Sequence, residues 1–82
     1  MKMVEVITDA GSADTISAIA ETYNARDFRK GVTDEEGMQS MRLLVADDKI
    51  QPVLDSLQNA VGSQPATRIF VIPVGRPGLH HM

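Results

Sequence analysis

Residues 3–23, MVEVITDAGSADTISAIAETY, hold the pattern that decides the fold. Alternating side chains at the start of this stretch predict a β-strand over Met3–Thr8. Further along, apolar residues recur at helical spacing and predict an α-helix over Asp14–Tyr23. The small and polar residues between them, Asp9–Ser12, predict a turn. The stretch therefore changes from a strand to a helix within a few residues.

The same change recurs in residues 41–61, MRLLVADDKIQPVLDSLQNAV. This stretch predicts the end of a strand over Met38–Ala46 and then a helix over Ile50–Val61. A polar run at Ala25–Lys30 and an apolar run at Thr67–Val74 predict two further strands. The resulting order predicts an α+β protein with the ferredoxin-like βαββαβ sandwich, a four-stranded antiparallel sheet with two helices on one face.

Residues 1–74 hold all of these elements and are expected to form one ferredoxin-like domain. Residues 75–82 have no periodicity and are expected to be a flexible tail, part of it typical of an expression remnant. Both histidines, His80 and His81, lie in that tail, so an expression artefact explains them better than a metal site.

Composition argues against several classes of function. The net charge of −3 is the wrong sign for a nucleic-acid surface, and the absence of cysteine removes thiolate metal sites and cysteine nucleophiles. No pair of carboxylate, lysine or serine side chains stands in an apolar context that would tune its pKa. We therefore expect no enzyme activity, no catalytic residue, no cofactor and no metal site.

Location follows from the same kind of evidence. No apolar run is long enough to span a bilayer, and the first residues enter a strand instead of a signal peptide. We expect a cytoplasmic protein that does not insert into a membrane itself, although its native context could tether it at the inner membrane.

The sheet face opposite the helices, the open face, is predicted to carry an interface. Alternation points one set of side chains toward the helices: Val4, Val6, Met41, Leu43, Val45, Ile69 and Val71. It points another apolar set at the open face: Ile7, Met38, Leu44, Phe70 and Ile72. Together the second set would form a large exposed patch, so we expect contact with another protein, most simply a second copy in a dimer. The alternative is a strand register shifted by one residue, which would place the second set in the core.

The turn Asp9, Ala10, Gly11, Ser12 is the candidate ligand site. It joins the first strand to the first helix, where backbone N–H groups can hold an anion and Gly11 would allow close approach. The alternative is that Ser12 only caps the helix. Asp9 and Asp14 would repel a phosphate there.

The acidic run Asp34–Glu36 is expected to be a solvated hairpin tip and not a cation site.

Other proteins with this element order need residues that the chain lacks. Copper chaperones need a cysteine pair in the first loop, RNA-recognition domains need stacking aromatics, and an acylphosphatase site needs an arginine in the first loop. Nitrogen-regulatory nucleotide sensors carry a long loop between strands two and three, whereas the predicted loop Gly31–Gly37 is short.

Three segments carry a family resemblance: MKMVEVI with Asp9–Gly11, MRLLV with DDKIQPVLDSLQ, and TRIFVIPV over Thr67–Val74. Together, residues 1–74 resemble the N-terminal domain of an uncharacterised family of bacterial multi-spanning membrane proteins. That resemblance implies a cytoplasmic ferredoxin-like domain and supplies no catalytic residues. The chain departs from the family because no hydrophobic segment follows Val74, so we expect an excised domain or a stand-alone relative.

A looser resemblance, confined to the Asp9–Ser12 turn, is to amino-acid-binding regulatory modules of metabolic enzymes.

Our leading hypothesis is a non-enzymatic regulatory or assembly domain that self-associates through its sheet and works with a bacterial membrane protein. The alternative is a sensor module that binds an amino acid or a nucleotide at the Asp9–Ser12 turn.

Overall fold

The computed structural model describes residues 1–74, and the predicted tail over 75–82 lies outside that range. Its elements are β1 Lys2–Asp9, α1 Ala13–Thr22, β2 Arg26–Thr33, β3 Met38–Val45, α2 Ile50–Val61 and β4 Arg68–Pro73. A short 3-10 turn precedes each helix, at Ala10–Ser12 and Asp47–Lys49. No helix in this part of the chain is long and apolar enough to cross a membrane.

The four strands form one antiparallel sheet in the order β2-β3-β1-β4. Both helices pack against the same side of it. This is the predicted ferredoxin-like βαββαβ sandwich, and the prediction is confirmed. Since β1 and β3 are central, β2 and β4 are the two edges of the sheet.

The core between sheet and helices is aliphatic. The predicted inward side chains of the central strands are fully buried, as are those at the centre of each helical stripe. The buried set is Val4, Val6, Ile16, Ala20, Met41, Leu43, Val45, Val53, Leu57 and Val61. Burying one such large aliphatic side chain stabilises the fold by about 1.5–3 kcal/mol. The predicted phase of β1 and β3 is therefore right, and the one-residue alternative is wrong for these strands.

The last strand departs from the prediction at Val71. Pairing places Val71 beside Val4, on the side of the sheet that faces the helices. Val4 is fully buried, yet Val71 remains 38% exposed. The helical layer therefore ends over β1 and does not extend across β4. Only Ile69, half-buried, attaches this strand to the core.

The second strand is longer than predicted, and its register with β3 shifts twice. One shift falls between Arg26 and Arg29, where Asp27 has a positive φ of 52°. The strand continues to Thr33, so the predicted loop from Gly31 shortens to residues 34–37. Asp34 closes this hairpin, because its Oδ1 accepts hydrogen bonds from the backbone N–H groups of Glu36 (2.8 Å) and Met38 (2.9 Å).

Candidate functional site

The open face lies opposite the helices, and cross-strand pairing arranges its side chains in rows. Three rows run from β3 across β1 to β4: Leu44–Met3–Ile72, Arg42–Glu5–Phe70 and Ser40–Ile7–Arg68. Most of the apolar side chains come from β1 and β4. Toward β2 the face becomes cationic, because Arg29 pairs with Arg42. The face thus has an apolar half and a cationic half.

All five residues predicted for the interface lie on the open face. Phe70 and Ile72 are 43% and 37% exposed, whereas Ile7, Met38 and Leu44 are half-buried. Met38 pairs with Asp9 at the far end of β1, away from the row that contains Ile72. The structure therefore brings Leu44, Phe70 and Ile72 into one patch and leaves Met38 outside it.

Met3 completes that patch and was missing from the predicted set. It stands between Leu44 and Ile72 in the same row and is half-buried. The alternation of β1 carries the signal, since Met3 must share a face with Ile7. Val71, exposed on the opposite side of β4, has no such local signal.

Glu5 lies at the centre of the open face, with its side chain only 17% exposed. Its Oε2 accepts a hydrogen bond of 2.7 Å from the Ser40 hydroxyl and lies 3.4 Å from the Arg42 Nε. This carboxylate is paired and hydrogen-bonded, which is the condition for holding a charge in a mostly covered position. It separates the apolar half of the face from the arginines.

Two shallow depressions lie in the cationic half. The larger, about 350 Å³, is lined by Arg29, Lys30, Gly31, Ser40 and Arg42. The smaller, about 200 Å³, is lined by Met3, Asp27, Arg29, Arg42, Leu43 and Leu44. The two adjoin each other, since both are lined by Arg29 and Arg42. No role was predicted for either arginine from the sequence.

The predicted ligand turn is closed by its own side chains. The Asp9 Oδ2 accepts a hydrogen bond of 2.9 Å from the Gly11 N–H, and the Ala10 N–H donates to the Gly37 carbonyl at 2.8 Å. Ser12 stands at the N-cap of α1, but its side chain makes no capping hydrogen bond. Ser12 therefore holds the predicted N-cap position without the capping hydrogen bond, and Asp9 caps the preceding 3-10 turn.

Gly11 makes room for the side chain of Asp9. A Cβ at this position would stand 2.7 Å from the Asp9 Oδ2. Glycine therefore accommodates the carboxylate that caps the 3-10 turn. The four residues Asp9–Ser12 do lie together, and their binding of a ligand stays a prediction.

A small polar cluster lies beside this turn. Thr8 is fully buried, and its hydroxyl donates to the Gln64 Oε1 at 2.9 Å and lies 2.8 Å from the Thr67 hydroxyl. The Gln64 amide extends to the Ser12 hydroxyl at 3.4 Å. These contacts join the start of α1 to the segment before β4, so they stabilise the end of the sheet.

Asp47 is an acidic residue whose pKa is lowered by its neighbours. The α-amino group of Met1 and the Lys2 ammonium, at 2.9 and 3.2 Å from its Oδ1, hold the pKa of Asp47 below its usual range. Its role is thus to bind the start of β1 to the segment after β3.

Within residues 1–74, no three His, Asp or Glu side chains are grouped closely enough to hold a metal ion.

Neither a protein-family model nor a curated protein sequence matches this chain. Solved structures do. CPII, a nitrogen regulatory PII-like protein from Thiomonas intermedia K12 bound to ADP, AMP and bicarbonate, is similar with a TM-score of 0.75 at 18% identity, over 93% of this chain and 91% of that one.

Two further structures are similar. A DUF3240 family protein from Shewanella baltica OS155 has a TM-score of 0.70 at 13% identity, covering 92% of this chain and 90% of that chain. A functionally unknown protein from Pediococcus pentosaceus ATCC 25745 has a TM-score of 0.66 at 16% identity, covering 92% of both chains.

Identities this low establish the fold and nothing finer. The short loop between β2 and β3 is compatible with this fold. The connection between β2 and β3 is short, as predicted, yet the fold is similar to that of a nitrogen regulatory PII-like protein over more than nine-tenths of the chain. A short loop therefore does not separate this chain from that fold.

Proposed function

We propose that this chain is a non-enzymatic regulatory module that forms homo-oligomers, most simply dimers, through β4 and the apolar half of its open face. The exposure of β4 on both sides carries the proposal. Phe70 and Ile72 are exposed on the open side, and Val71 is exposed on the helix side. A strand of this kind, at an edge with unpaired backbone groups, is a template for pairing with another chain.

A second copy of the chain is the occupant that the surface favours. The apolar half of the open face carries the exposed side chains of Phe70 and Ile72, which two copies could bury against each other. The antiparallel edge would allow two β4 strands to pair with the same residues on each side, as a two-fold interface requires. Such a contact would bring side chains of the second copy beside those of β4 on both sides of the sheet.

A regulatory role and a membrane-protein partner belong to the same proposal. The regulatory role is supported by the fold likeness to a nitrogen regulatory PII-like protein. The link to a bacterial membrane protein, and with it a cytoplasmic location, is supported by the sequence resemblance of residues 1–74. Copurification of the tagged chain with a multi-spanning protein from the membrane fraction of the source cells would test that link, with a Phe70→Glu chain as the comparison.

Solution mass measured by light scattering and analytical ultracentrifugation tests the assembly. We expect the wild type to be a dimer, and Phe70→Glu and Val71→Lys each to raise the dissociation constant at least tenfold, which is about 1.4 kcal/mol. Val32→Lys is the matched control. Val32 is 91% exposed on the other edge strand, so the same kind of change there should leave the mass unaltered.

The outcomes separate clearly. A wild type that stays monomeric at the highest concentration reached would overturn the proposal. If Phe70→Glu fails to fold, Val71→Lys still tests it, because Val71 lies on the opposite side of the strand. An equal loss of mass with Val32→Lys would point to a general effect of charge and contradict the assignment to β4.

A second candidate function is a small-molecule sensor at Asp9, Ala10, Gly11 and Ser12. It is favoured by the ADP, AMP and bicarbonate bound to the similar protein from Thiomonas intermedia. Thermal unfolding with each of these compounds and with a panel of amino acids tests it. A ligand at 100 times its dissociation constant adds about 2.7 kcal/mol to the free energy of unfolding. No stabilisation by any of them, or equal stabilisation of a Gly11→Val variant, would contradict a site at this turn.

A further inference from the structure

The pairing of Arg29 with Arg42 is the feature that the assembly does not explain. The two residues stand directly opposite each other on β2 and β3. Residues so paired have Cβ atoms about 4.5–5.5 Å apart, and like charges at this distance destabilise a sheet. The chain as a whole carries a net charge of −3, so two facing cations are not a consequence of a basic composition.

The partners of the two arginines are unequal. Arg42 lies 3.4 Å from the carboxylate of Glu5 through its Nε, and its side chain remains 57% exposed. Within residues 1–74, Arg29 has no carboxylate within salt-bridge distance. Among the residues that the structure describes, Glu5 is thus the only carboxylate within salt-bridge distance of either guanidinium group.

A bulge in β2 creates this arrangement. The register shift between Arg26 and Arg29, at the positive φ of Asp27, sets Arg29 opposite Arg42. Bulges of this kind re-aim side chains and are over-represented beside functional sites. A left-handed conformation is unfavourable at a residue other than glycine, so the fold retains the arrangement against a local strain.

The space beside the arginines has the size and lining of an anion site. The depression of about 350 Å³ is lined by Arg29, Lys30, Gly31, Ser40 and Arg42, with no acidic side chain among them. The nearest carboxylates on the open side are Glu5, already bound to Ser40 and Arg42, and Asp27, which lines the adjoining depression. Two guanidinium groups match the charge and the planar oxygen pairs of a dianionic phosphate.

We infer that the depression between Arg29 and Arg42 binds the phosphate group of a small ligand. The adjoining depression, lined in part by Met3 and Leu44, would receive an apolar portion of that ligand. The site is complete within one copy of the chain. Arg29 and Arg42, which would hold the phosphate, lie in the cationic half of the open face, away from β4, and the site differs from the Asp9–Ser12 turn.

Binding of inorganic phosphate, followed by amide chemical shifts and calorimetry at constant ionic strength, tests the inference. We expect shifts centred on Arg29, Ser40 and Arg42, and an affinity at least tenfold lower in Arg29→Gln. Lys49→Gln is the control, because this substitution removes the same charge. Lys49 is also exposed, but it lies just before α2, away from the depression. The affinity of this variant should equal that of the wild type.

Two more measurements sharpen the result. Phenyl phosphate that binds more tightly than inorganic phosphate would support the site with an organic ligand, and equal affinities would support it with free phosphate. The Val71→Lys variant should retain the affinity of the wild type, which separates this site from the oligomer contact.

Three outcomes would overturn the inference. They are no binding of either compound, an equal loss of affinity in Arg29→Gln and Lys49→Gln, and loss of binding in Val71→Lys. The last would show that the anion needs a second copy of the chain. A wild type found to be monomeric would contradict the proposed assembly but leave the phosphate site standing.

Discussion

The two edges of the sheet are built in opposite ways. At one edge, β2 is polar, contains Arg26, Asp27, Arg29 and Lys30, and is interrupted by two register shifts. At the other edge, β4 reads RIFVIP, has no register shift against β1 and carries three consecutive exposed apolar side chains from Phe70 to Ile72. Charges and bulges protect an edge against pairing with other chains. One edge of this sheet thus has features that prevent pairing along its length, and the other has them only at its ends, Arg68 and Pro73.

This difference between the edges is the basis of both proposed contacts. The protected edge leaves a cationic surface that suits a small anion. The unprotected edge leaves an apolar strand that suits another strand. Each edge is joined to the core by one half-buried apolar side chain, Phe28 in β2 and Ile69 in β4. Substitutions in these two strands therefore test whether the edges differ as described.

The largest effect is expected at the two anchors. Phe28→Ala should lower the free energy of unfolding by about 2–3 kcal/mol and Ile69→Ala by about 2 kcal/mol, since both remove partly buried contacts with the core. Chemical denaturation at low protein concentration measures both. Raising the concentration should then stabilise the wild type and Phe28→Ala, because association through β4 remains. A concentration effect that Val71→Lys does not reduce would contradict the difference between the edges.

A smaller effect is expected at the bulge of the protected edge. Asp27→Ala should lower the free energy of unfolding by about 1 kcal/mol, because alanine tolerates a positive φ less well than aspartate. Asp27→Gly should be nearly neutral, since glycine adopts this conformation freely. Thermal and urea unfolding of the pair measure the difference. Equal stability of the two variants would show that β2 adjusts its register without the bulge.

The smallest effect is expected at Asp47, which joins the two central strands and serves as a reference outside both edges. Its pKa is lowered in the folded chain by the Met1 amino group and Lys2, so its contribution to stability is complete above the ordinary carboxyl pKa of about 3.9. That contribution is lost as the pH falls through the lower folded pKa. The advantage of the wild type over Asp47→Asn should therefore shrink in unfolding curves below about pH 4. An advantage independent of pH would contradict the ion pair.

Local patterns were sufficient for most of the architecture. Alternation in β1 and β3 and helical spacing in α1 and α2 identified the buried side chains, because each pattern depends on neighbours a few residues away. The position of the candidate turn, where β1 meets α1, was predicted from the sequence. The hydrogen bonds of the turn were not predicted. The hydrogen bond from the Gly11 N–H to Asp9 depends on the folded conformation of the loop. The hydrogen bond from Gln64 to Ser12 also depends on a residue far along the chain.

The order of strands and helices, the aliphatic core and the apolar character of both sides of β4 could all be predicted from the sequence. Only the tertiary structure decided that the helical layer stops over β1, so that Val4 is buried and its neighbour Val71 is exposed. It also decided that the bulge at Asp27 brings Arg29 opposite Arg42. The physical reason is the same in both cases: side-chain periodicity is a local property of the backbone, whereas coverage and register depend on contacts between segments that are distant in the chain.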